Sequence, residues 1–253
     1  MTRSFLLIHG MCCTGDVWAN FRGFYEVRGI AVFTPTLRPE LRLRTKPPKA
    51  LFALRFADYV ADVEQELTRI EDQTGRRVTV IGHSMGGLLA QTLAERNRPN
   101  AAVFISPTPP AGVHDGQTRR FWRGFKVANA LGLVPRGLYP YRAITEAVAL
   151  NQVPAAERAA IQAAMVQESR NVFADFPAHA IDETKIRIPV LTVAARRDRL
   201  VTARVTRLTG KKYAAVGGEF REYADHGHWL YGEPGWEKPA AEILEWVEAN
   251  VPL

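Results

Sequence analysis

The side chain best placed to do chemistry is a serine in a glycine-rich pentapeptide. Residues 82–86 read GHSMG and lie between a β-branched run and an apolar helical pattern. This is the G-x-S-x-G pattern in the strand-to-helix context that its chemistry requires. Gly82 and Gly86 allow a sharp turn that lifts a hydroxyl out of the sheet, at a helix N-terminus that favours negative charge. We therefore predict that Ser84 is a nucleophile.

The same residues also resemble a different kind of loop. Gly82, Ser84 and Gly87 have the spacing of a dinucleotide-binding turn. In that turn the middle glycine lets the backbone approach the pyrophosphate. A serine at the middle position is incompatible with this role, so the pattern favours a nucleophile.

A nucleophilic serine needs an imidazole that accepts its proton. Two histidines, His226 and His228, follow the apolar-alternating residues 219–223 near the end of the chain. In proteins with this type of turn the order along the chain is serine, acid, histidine. Either histidine satisfies that order.

The imidazole in turn needs a carboxylate that fixes its tautomer. Asp198 follows the apolar run at residues 190–195 and lies between the serine and the histidines. Asp225 is a second candidate, although its closeness in sequence to the histidines makes the geometry awkward. The alternative for Asp198 is a surface ion pair with Arg197 or Arg199.

The elements that must position these residues alternate between strand and helix. Strands are predicted at residues 5–8, 30–33, 78–81, 101–105, 189–195 and 219–223, and helices at residues 17–25, 56–70, 85–97 and 240–251. Glycine- and proline-broken helical segments interrupt this alternation, including an alanine-rich helix over residues 154–170. The pattern predicts one core domain, residues 1–108 and 186–253, with a helical cap at residues 109–185, whose aromatic residues we expect to be mostly core.

The composition is that of an ordinary globular domain of 253 residues, with a net charge of +7 and no nucleic-acid-binding motif. Residues 38–49 supply over half of that excess charge and are interpreted as an exposed loop rather than an anion-attracting rim. The adjacent Cys12 and Cys13 are expected to be packing residues in a reducing compartment. No apolar run is long enough for a secretion signal or a membrane span, so we expect a cytoplasmic protein.

The turn, the strand order and the two later positions together resemble the α/β-hydrolase family, from residue 5 to the C-terminal helix and outside the insertion. The resemblance implies an α/β fold, a mostly parallel β-sheet flanked by helices with a helical cap insertion. It also implies that His228, framed by Gly227 and Trp229, is the base and that Asp198 is the acid. His226 then orders the loop, although the sequence leaves this choice open.

An oxyanion hole needs two backbone donors. The G-x-S-x-G pattern supplies one from Met85, and the resemblance implies that Met11 supplies the other, with Gly10 permitting the turn and His9 bracing it. Residues 9–18, HGMCCTGDVW, are similar to the start of plant methylesterases and hydroxynitrile lyases. Those lyases place a hydroxyl residue where this chain has Met11.

The sequence thus predicts a serine hydrolase that cleaves a small-molecule carboxylic ester through an acyl-enzyme on Ser84. No metal or cofactor is expected. The alternatives are lactonase, amidase or hydroxynitrile-lyase chemistry on the same scaffold, or a ligand-binding receptor that retains the triad. The oligomeric state does not follow from the sequence.

Overall fold

A parallel sheet of six strands organises the computed structural model, which describes residues 3–252. The described residues form this sheet and a separate strand pair, and their strands are β1 Ser4–Ile8, β2 Ala31–Phe33, β3 Thr79–His83, β4 Ala101–Ile105, β5 Gly137–Leu138, β6 Glu168–Ser169, β7 Val190–Ala195 and β8 Glu219–Tyr223. The main sheet has the order β2-β1-β3-β4-β7-β8, and β5 and β6 form a separate antiparallel pair. Strands β1, β3, β4 and β7 are buried along their whole length, as parallel strands between two layers are, whereas β2 and β8 at the two edges are partly exposed.

Helices cover both faces of this sheet. They are α1 Ala19–Glu26, α2 Phe56–Thr74, α3 Met85–Glu95, α4 Gly116–Ala130, α5 Arg142–Val148, α6 Ala155–Ala164, α7 Arg170–Asp175, α8 Ala203–Ala214 and α9 Glu237–Asn250. Within residues 3–252, none of the helices is long and apolar enough to cross a membrane. The predicted fold class, a mostly parallel sheet between helices, is confirmed.

The alternation of side chains along β1 divides the core in two. Phe5 and Leu7 pack with the residues of α1 and α9, while Leu6 and Ile8 pack with those of α2 and α3. Successive strand residues point to opposite faces, so one apolar run serves both layers. The sheet is therefore packed on both faces, and the loops at its carboxyl edge begin at the ends of buried strands.

Helix α2 has sequence signals for its start and its end. The Asp58 carboxylate accepts a hydrogen bond from the Arg55 amide at 2.7 Å, which satisfies a donor at the helix N-terminus. Gly75 ends the helix with φ of 66°, a left-handed conformation that glycine adopts without a Cβ penalty. The apolar stripe predicted for this helix is buried.

Three expectations from the sequence are wrong. The helix expected over residues 154–170 ends at Ala164, because Glu168 is drawn into β6 and a buried ion pair. Arg42 is buried rather than part of an exposed loop. Exposed aromatic residues, including Tyr141 at 60%, lie where core residues were expected.

Helix α8 was not predicted, because its threonine and lysine residues and Gly210 weaken the helical pattern.

Candidate active site

The turn between β3 and α3 holds Ser84 in a strained conformation. Its φ of 54° and ψ of −117° lie in a region that costs a non-glycine residue about 1–3 kcal/mol. The neighbouring strand holds the turn in place, because the Ser84 amide donates to the Ile105 carbonyl at 3.1 Å and the Thr108 amide donates to the Ser84 carbonyl at 2.9 Å. Packing around the serine thus overcomes the strain.

The glycines of the pentapeptide are required by close backbone contacts. A Cβ on Gly82 would lie 2.0 Å from the Gly86 carbonyl oxygen, and a Cβ on Gly86 would lie 2.1 Å from the Ile8 carbonyl oxygen. Neither position accepts a side chain without moving backbone. The two glycines therefore bring β1, β3 and α3 together around Ser84.

His228 is oriented by a buried carboxylate. Its Nδ1 lies 2.7 Å from Asp198 Oδ2, and both side chains are almost completely buried. The other Asp198 oxygen, Oδ1, accepts hydrogen bonds from the Leu200 and Val201 amides at 2.8 and 2.9 Å. A carboxylate held in this way fixes Nδ1 as the protonated nitrogen and leaves the Nε2 lone pair for a reaction.

The His228 loop lies against the turn that carries Ser84. The His83 Nε2 donates to the His228 carbonyl at 2.8 Å, and the two imidazole rings are 4.5 Å apart. Burial lowers the pKa of His83 well below its usual range, so this ring is a neutral donor. Within residues 3–252, the Ser84 hydroxyl forms no hydrogen bond in this conformation. Its neighbour His83 nevertheless ties the histidine loop to the serine turn.

His226, the second histidine candidate, has a different partner. Its Nδ1 lies 3.4 Å from Glu233 Oε2, and the Glu233 carboxylate accepts hydrogen bonds from the Gly227 and Trp229 amides at 2.6 and 3.1 Å. Glu233 is 1% exposed. It therefore holds the loop on both sides of His228.

Asp225, the second candidate for the acid, and the two arginines considered as partners of Asp198 all have other contacts. The Asp225 side chain is 82% exposed and pairs with Arg197 at 2.7 Å. Arg199 donates to the Ala147 carbonyl at 3.4 Å. Neither arginine forms a salt bridge with Asp198 within the part of the chain that the structure describes. The geometry favours the Asp198–His228 pair.

The loop after β1 approaches Ser84 directly. A Cβ on Gly10 would lie 3.1 Å from the Ser84 Cβ. His9 braces this loop, because its Nε2 accepts from the Leu37 amide at 3.1 Å while its Nδ1 donates to the Gly10 carbonyl at 2.8 Å. Burial lowers the pKa of His9 to about 3, so it remains neutral. The loop that carries Met11 is thus anchored on one side by a neutral histidine.

Two backbone amides next to the serine are available for an oxyanion. Neither the Met11 nor the Met85 amide donates a hydrogen bond to another residue within 3–252. Met85 is the first residue of α3, where an amide has no partner within the helix. Unpaired amides at a helix N-terminus attract negative charge.

A buried ion pair anchors the other side of the Met11 loop. The Arg42 guanidinium donates to the Cys13 carbonyl at 3.2 Å and to Glu168 Oε2 at 2.7 Å. The Tyr59 hydroxyl donates to Glu168 Oε1 at 2.8 Å. Both charged side chains are fully buried. The network connects the loop, α2 and β6.

The sequence interpretation missed the residues that support the site. Arg42 belongs to a run of basic residues, and Glu168 to an alanine-rich segment, so neither has a distinctive local pattern. Glu233 is likewise not marked by any motif. These residues act through contacts between distant parts of the chain, which local patterns do not encode.

The two cysteines next to this network are protonated thiols. Burial raises the pKa of Cys13 to about 12, and burial together with the nearby Glu168 carboxylate raises the pKa of Cys12 well above its usual range. Within residues 3–252 no three His, Cys, Asp or Glu side chains converge as metal ligands. The candidate reactive groups at this place are the Ser84 hydroxyl, the His228–Asp198 pair and the backbone amides of Met11 and Met85.

Solved structures with the same fold cover nearly the whole chain. A variant of tomato methylketone synthase I complexed with beta-ketoheptanoate superposes with a TM-score of 0.76 at 15% identity, covering 99% of each chain. A polyneuridine aldehyde esterase mutant gives 0.74 at 15% identity, covering 98% of this chain and 100% of the other. The methylesterase MES16 from Arabidopsis gives 0.76 at 12% identity with the same coverage.

Comparison of the sequence with curated proteins and with family models gives different results. No curated protein sequence gives a significant match to the chain. A family model does match, described as the alpha/beta hydrolase family, and it covers residues 5–244. The matched range includes the serine turn, the loop after β1 and the histidine–aspartate pair. The chain belongs to the alpha/beta hydrolase family.

Proposed function

We propose that the protein is a carboxylic-ester hydrolase with Ser84 as nucleophile, His228 as general base and Asp198 as the residue that orients the base. The observation that carries this proposal is the 2.7 Å contact between His228 Nδ1 and Asp198 Oδ2, beside a serine with φ of 54°. A hydrogen-bonded imidazole next to a strained serine turn is the arrangement that activates a hydroxyl.

The reaction would proceed through an acyl-enzyme. The Ser84 oxygen attacks the ester carbonyl while His228 Nε2 takes the hydroxyl proton, and the same imidazolium then gives that proton to the departing alcohol. Water next attacks the acyl carbon while His228 Nε2 takes its proton. The bond between the acyl group and the Ser84 oxygen then breaks, and the imidazolium returns the proton to that oxygen as the acid leaves. The serine–histidine contact need not be short before substrate binds, since catalytic hydrogen bonds often tighten only in the complex.

The Met11 and Met85 amides form the proposed oxyanion hole. The developing negative charge would lie between these donors, at the N-terminus of α3, and each donor of this type contributes about 10²–10³ in rate. Gly10 and His9 support the first donor, and Gly82 and Gly86 support the second. No metal or cofactor takes part in this proposal.

Residues 109–185 would act as a cap over this site. They enter the chain between β4 and β7 and add no strand to the main sheet. The Val166 amide donates to the Cys12 carbonyl at 3.0 Å, next to the Met11 loop. The substrate is proposed to be a small-molecule ester. The adjacent unpaired Cys12 and Cys13 support a reducing compartment such as the cytoplasm.

Turnover of p-nitrophenyl esters tests this function. We expect the purified protein to hydrolyse short-chain esters and Ser84→Ala to lose about 10³-fold or more in kcat. Ser106→Ala is the matched control, because Ser106 is fully buried at the end of the neighbouring β4. Full activity in Ser84→Ala would contradict the proposal. A separate panel of lactones, amides and cyanohydrins would assign the substrate class.

A further inference from the structure

Most of the large apolar side chains that the protein exposes lie in one stretch of the inserted segment. Eleven large apolar residues within residues 3–252 are at least 39% exposed, and seven of them lie between residues 121 and 144. They are Phe121, Val127, Leu131, Leu133, Tyr139, Tyr141 and Ile144. We call residues 116–144 the basic apolar surface. Exposed apolar residues concentrated in this way mark an interaction site.

The charge of this surface has one sign. Residues 116–144 contain six basic residues and no aspartate or glutamate: Arg119, Arg120, Arg123, Lys126, Arg136 and Arg142. Of these six, only Arg142 forms a salt bridge within the described chain, with Glu146 at 2.6 Å. The remaining basic side chains are uncompensated by neighbouring carboxylates. The surface therefore attracts anions.

The apolar residues of this surface are not a displaced part of the core. Helix α4 already has an inward face, where the Trp122 and Phe125 rings contact the Phe173 ring at 4.7 and 5.0 Å. Phe173 in turn contacts the buried Phe176 at 5.6 Å. The helix is thus packed through one side, and Phe121 lies at the edge of that cluster, with its ring 6.1 Å from Phe173. Val127 lies on the other side of the helix, next to its basic residues, and Leu131 follows directly after the helix end.

A partner must accept both the charge and the apolar side chains. A second copy of this surface would double the basic side chains without supplying a carboxylate, so like charges oppose self-association. A nucleic acid would neutralise the charge but leave the aliphatic side chains in water. An anionic lipid surface satisfies both, because headgroups pair with the basic residues while apolar side chains enter the acyl boundary.

We infer that the basic apolar surface docks the protein on bilayers that contain anionic lipid. Lysine and arginine side chains can extend toward headgroups while their stems cover apolar surface. The apolar residues beyond the end of α4, Leu131 and Leu133, are 68% and 72% exposed and would enter the membrane boundary. This mode of binding is peripheral and needs no membrane-spanning helix.

The basic apolar surface adjoins the candidate active site. Its β5 residue Leu138 accepts a weak hydrogen bond from the Cys12 thiol, with the sulfur 3.9 Å from the carbonyl oxygen. An ester held in the bilayer would therefore reach the protein beside the Met11 loop. This extension to lipophilic ester substrates rests on the proposed function, whereas the docking itself does not.

Co-sedimentation with vesicles tests the docking without requiring turnover. We expect binding to phosphatidylcholine vesicles with about 30% phosphatidylglycerol, weaker binding as salt is added, and little binding to pure phosphatidylcholine. The combined variant Arg120→Glu, Arg123→Glu, Lys126→Glu should reduce the partition about 100-fold, since each of the three basic residues is worth roughly fivefold. Leu131→Ser combined with Leu133→Ser should also reduce it.

Matched controls separate a defined surface from general charge. Arg28→Glu, Arg76→Glu and Lys211→Glu change the net charge equally outside the inserted segment, and Val27→Ser removes an apolar residue that is 81% exposed. These controls should retain binding. The inference would be overturned if the controls lost as much binding as the surface variants, or if uncharged vesicles bound equally well. It would also be overturned if the protein bound no vesicles but self-associated, and if this self-association disappeared in the leucine variant.

Discussion

At the residue scale, the Asp198 carboxylate uses its two oxygens for two purposes. One oxygen is fixed by the Leu200 and Val201 amides, and the other holds His228 Nδ1. The carboxylate is therefore positioned by backbone before it orients the imidazole. This division explains how a loop residue can fix the tautomer of a histidine thirty positions further along the chain.

Asp198→Asn tests this role. The amide cannot stabilise the same tautomer and the charged imidazolium, so we expect kcat for a p-nitrophenyl ester to fall about 10³–10⁴-fold while KM changes little. Asp225→Asn is the control and should leave both constants nearly unchanged, because that side chain is 82% exposed. A larger loss in the Asp225 variant would assign the acid differently.

At the scale of elements, the serine turn depends on the close approach of β1, β3 and α3. Gly86→Ala would place a methyl group 2.1 Å from the Ile8 carbonyl oxygen, so we expect loss of the native turn and strong destabilisation. Gly23→Ala, in the middle of α1 with open space around its Cβ position, should instead stabilise the protein by about 0.5–1 kcal/mol. Urea unfolding of both variants measures the difference, and similar free energies of unfolding would contradict the packing described.

The Arg42–Glu168 pair connects elements that are distant in sequence. Glu168→Gln leaves a buried guanidinium without its charged partner, so we expect a loss of about 3–5 kcal/mol in the free energy of unfolding. The double variant Arg42→Met, Glu168→Leu should lose much less stability, because both charges are then removed. Chemical denaturation measures the free energy of unfolding of both variants.

This pair also positions the Met11 loop through the Cys13 carbonyl. The double variant should therefore show a lower kcat even where its stability is restored, since the loop loses an anchor. Unchanged kcat in a folded double variant would mean that the pair serves stability alone. Comparing kcat with KM separates a misplaced oxyanion donor from weaker substrate binding.

At the scale of the whole molecule, the two thiols report on global unfolding. Burial raises the pKa of Cys13 to about 12, and only a thiolate reacts with a disulfide reagent. We expect both cysteines to react slowly with such a reagent at pH 8 in the native protein and rapidly in denaturant. Fast native reaction of either thiol would show that the region around the Met11 loop opens locally.

The sequence predicts the parts of the fold that depend on local pattern. β4 and β8 match their predicted bounds, because apolar runs and alternation are read within a few residues. The motif predicts Ser84, and the order along the chain indicates Asp198, whereas the choice of His228 over His226 depends on the resemblance to the α/β-hydrolase family. Arg42, Glu168 and Glu233 could not be predicted, because their environment is created only when distant segments pack. The expectation that the aromatic residues of the insertion are mostly core was also wrong for Phe121, Tyr139 and Tyr141, since residue type alone does not distinguish a buried aromatic from an exposed one.

The most direct test of the central claim is labelling with a fluorophosphonate probe followed by peptide mapping. The probe reacts with a serine only when a neighbouring base and an oxyanion site activate it. We predict one modified residue, Ser84, with labelling abolished in Ser84→Ala and strongly slowed in His228→Ala but not in His226→Ala. Modification of another serine, or undiminished labelling in His228→Ala, would contradict the account.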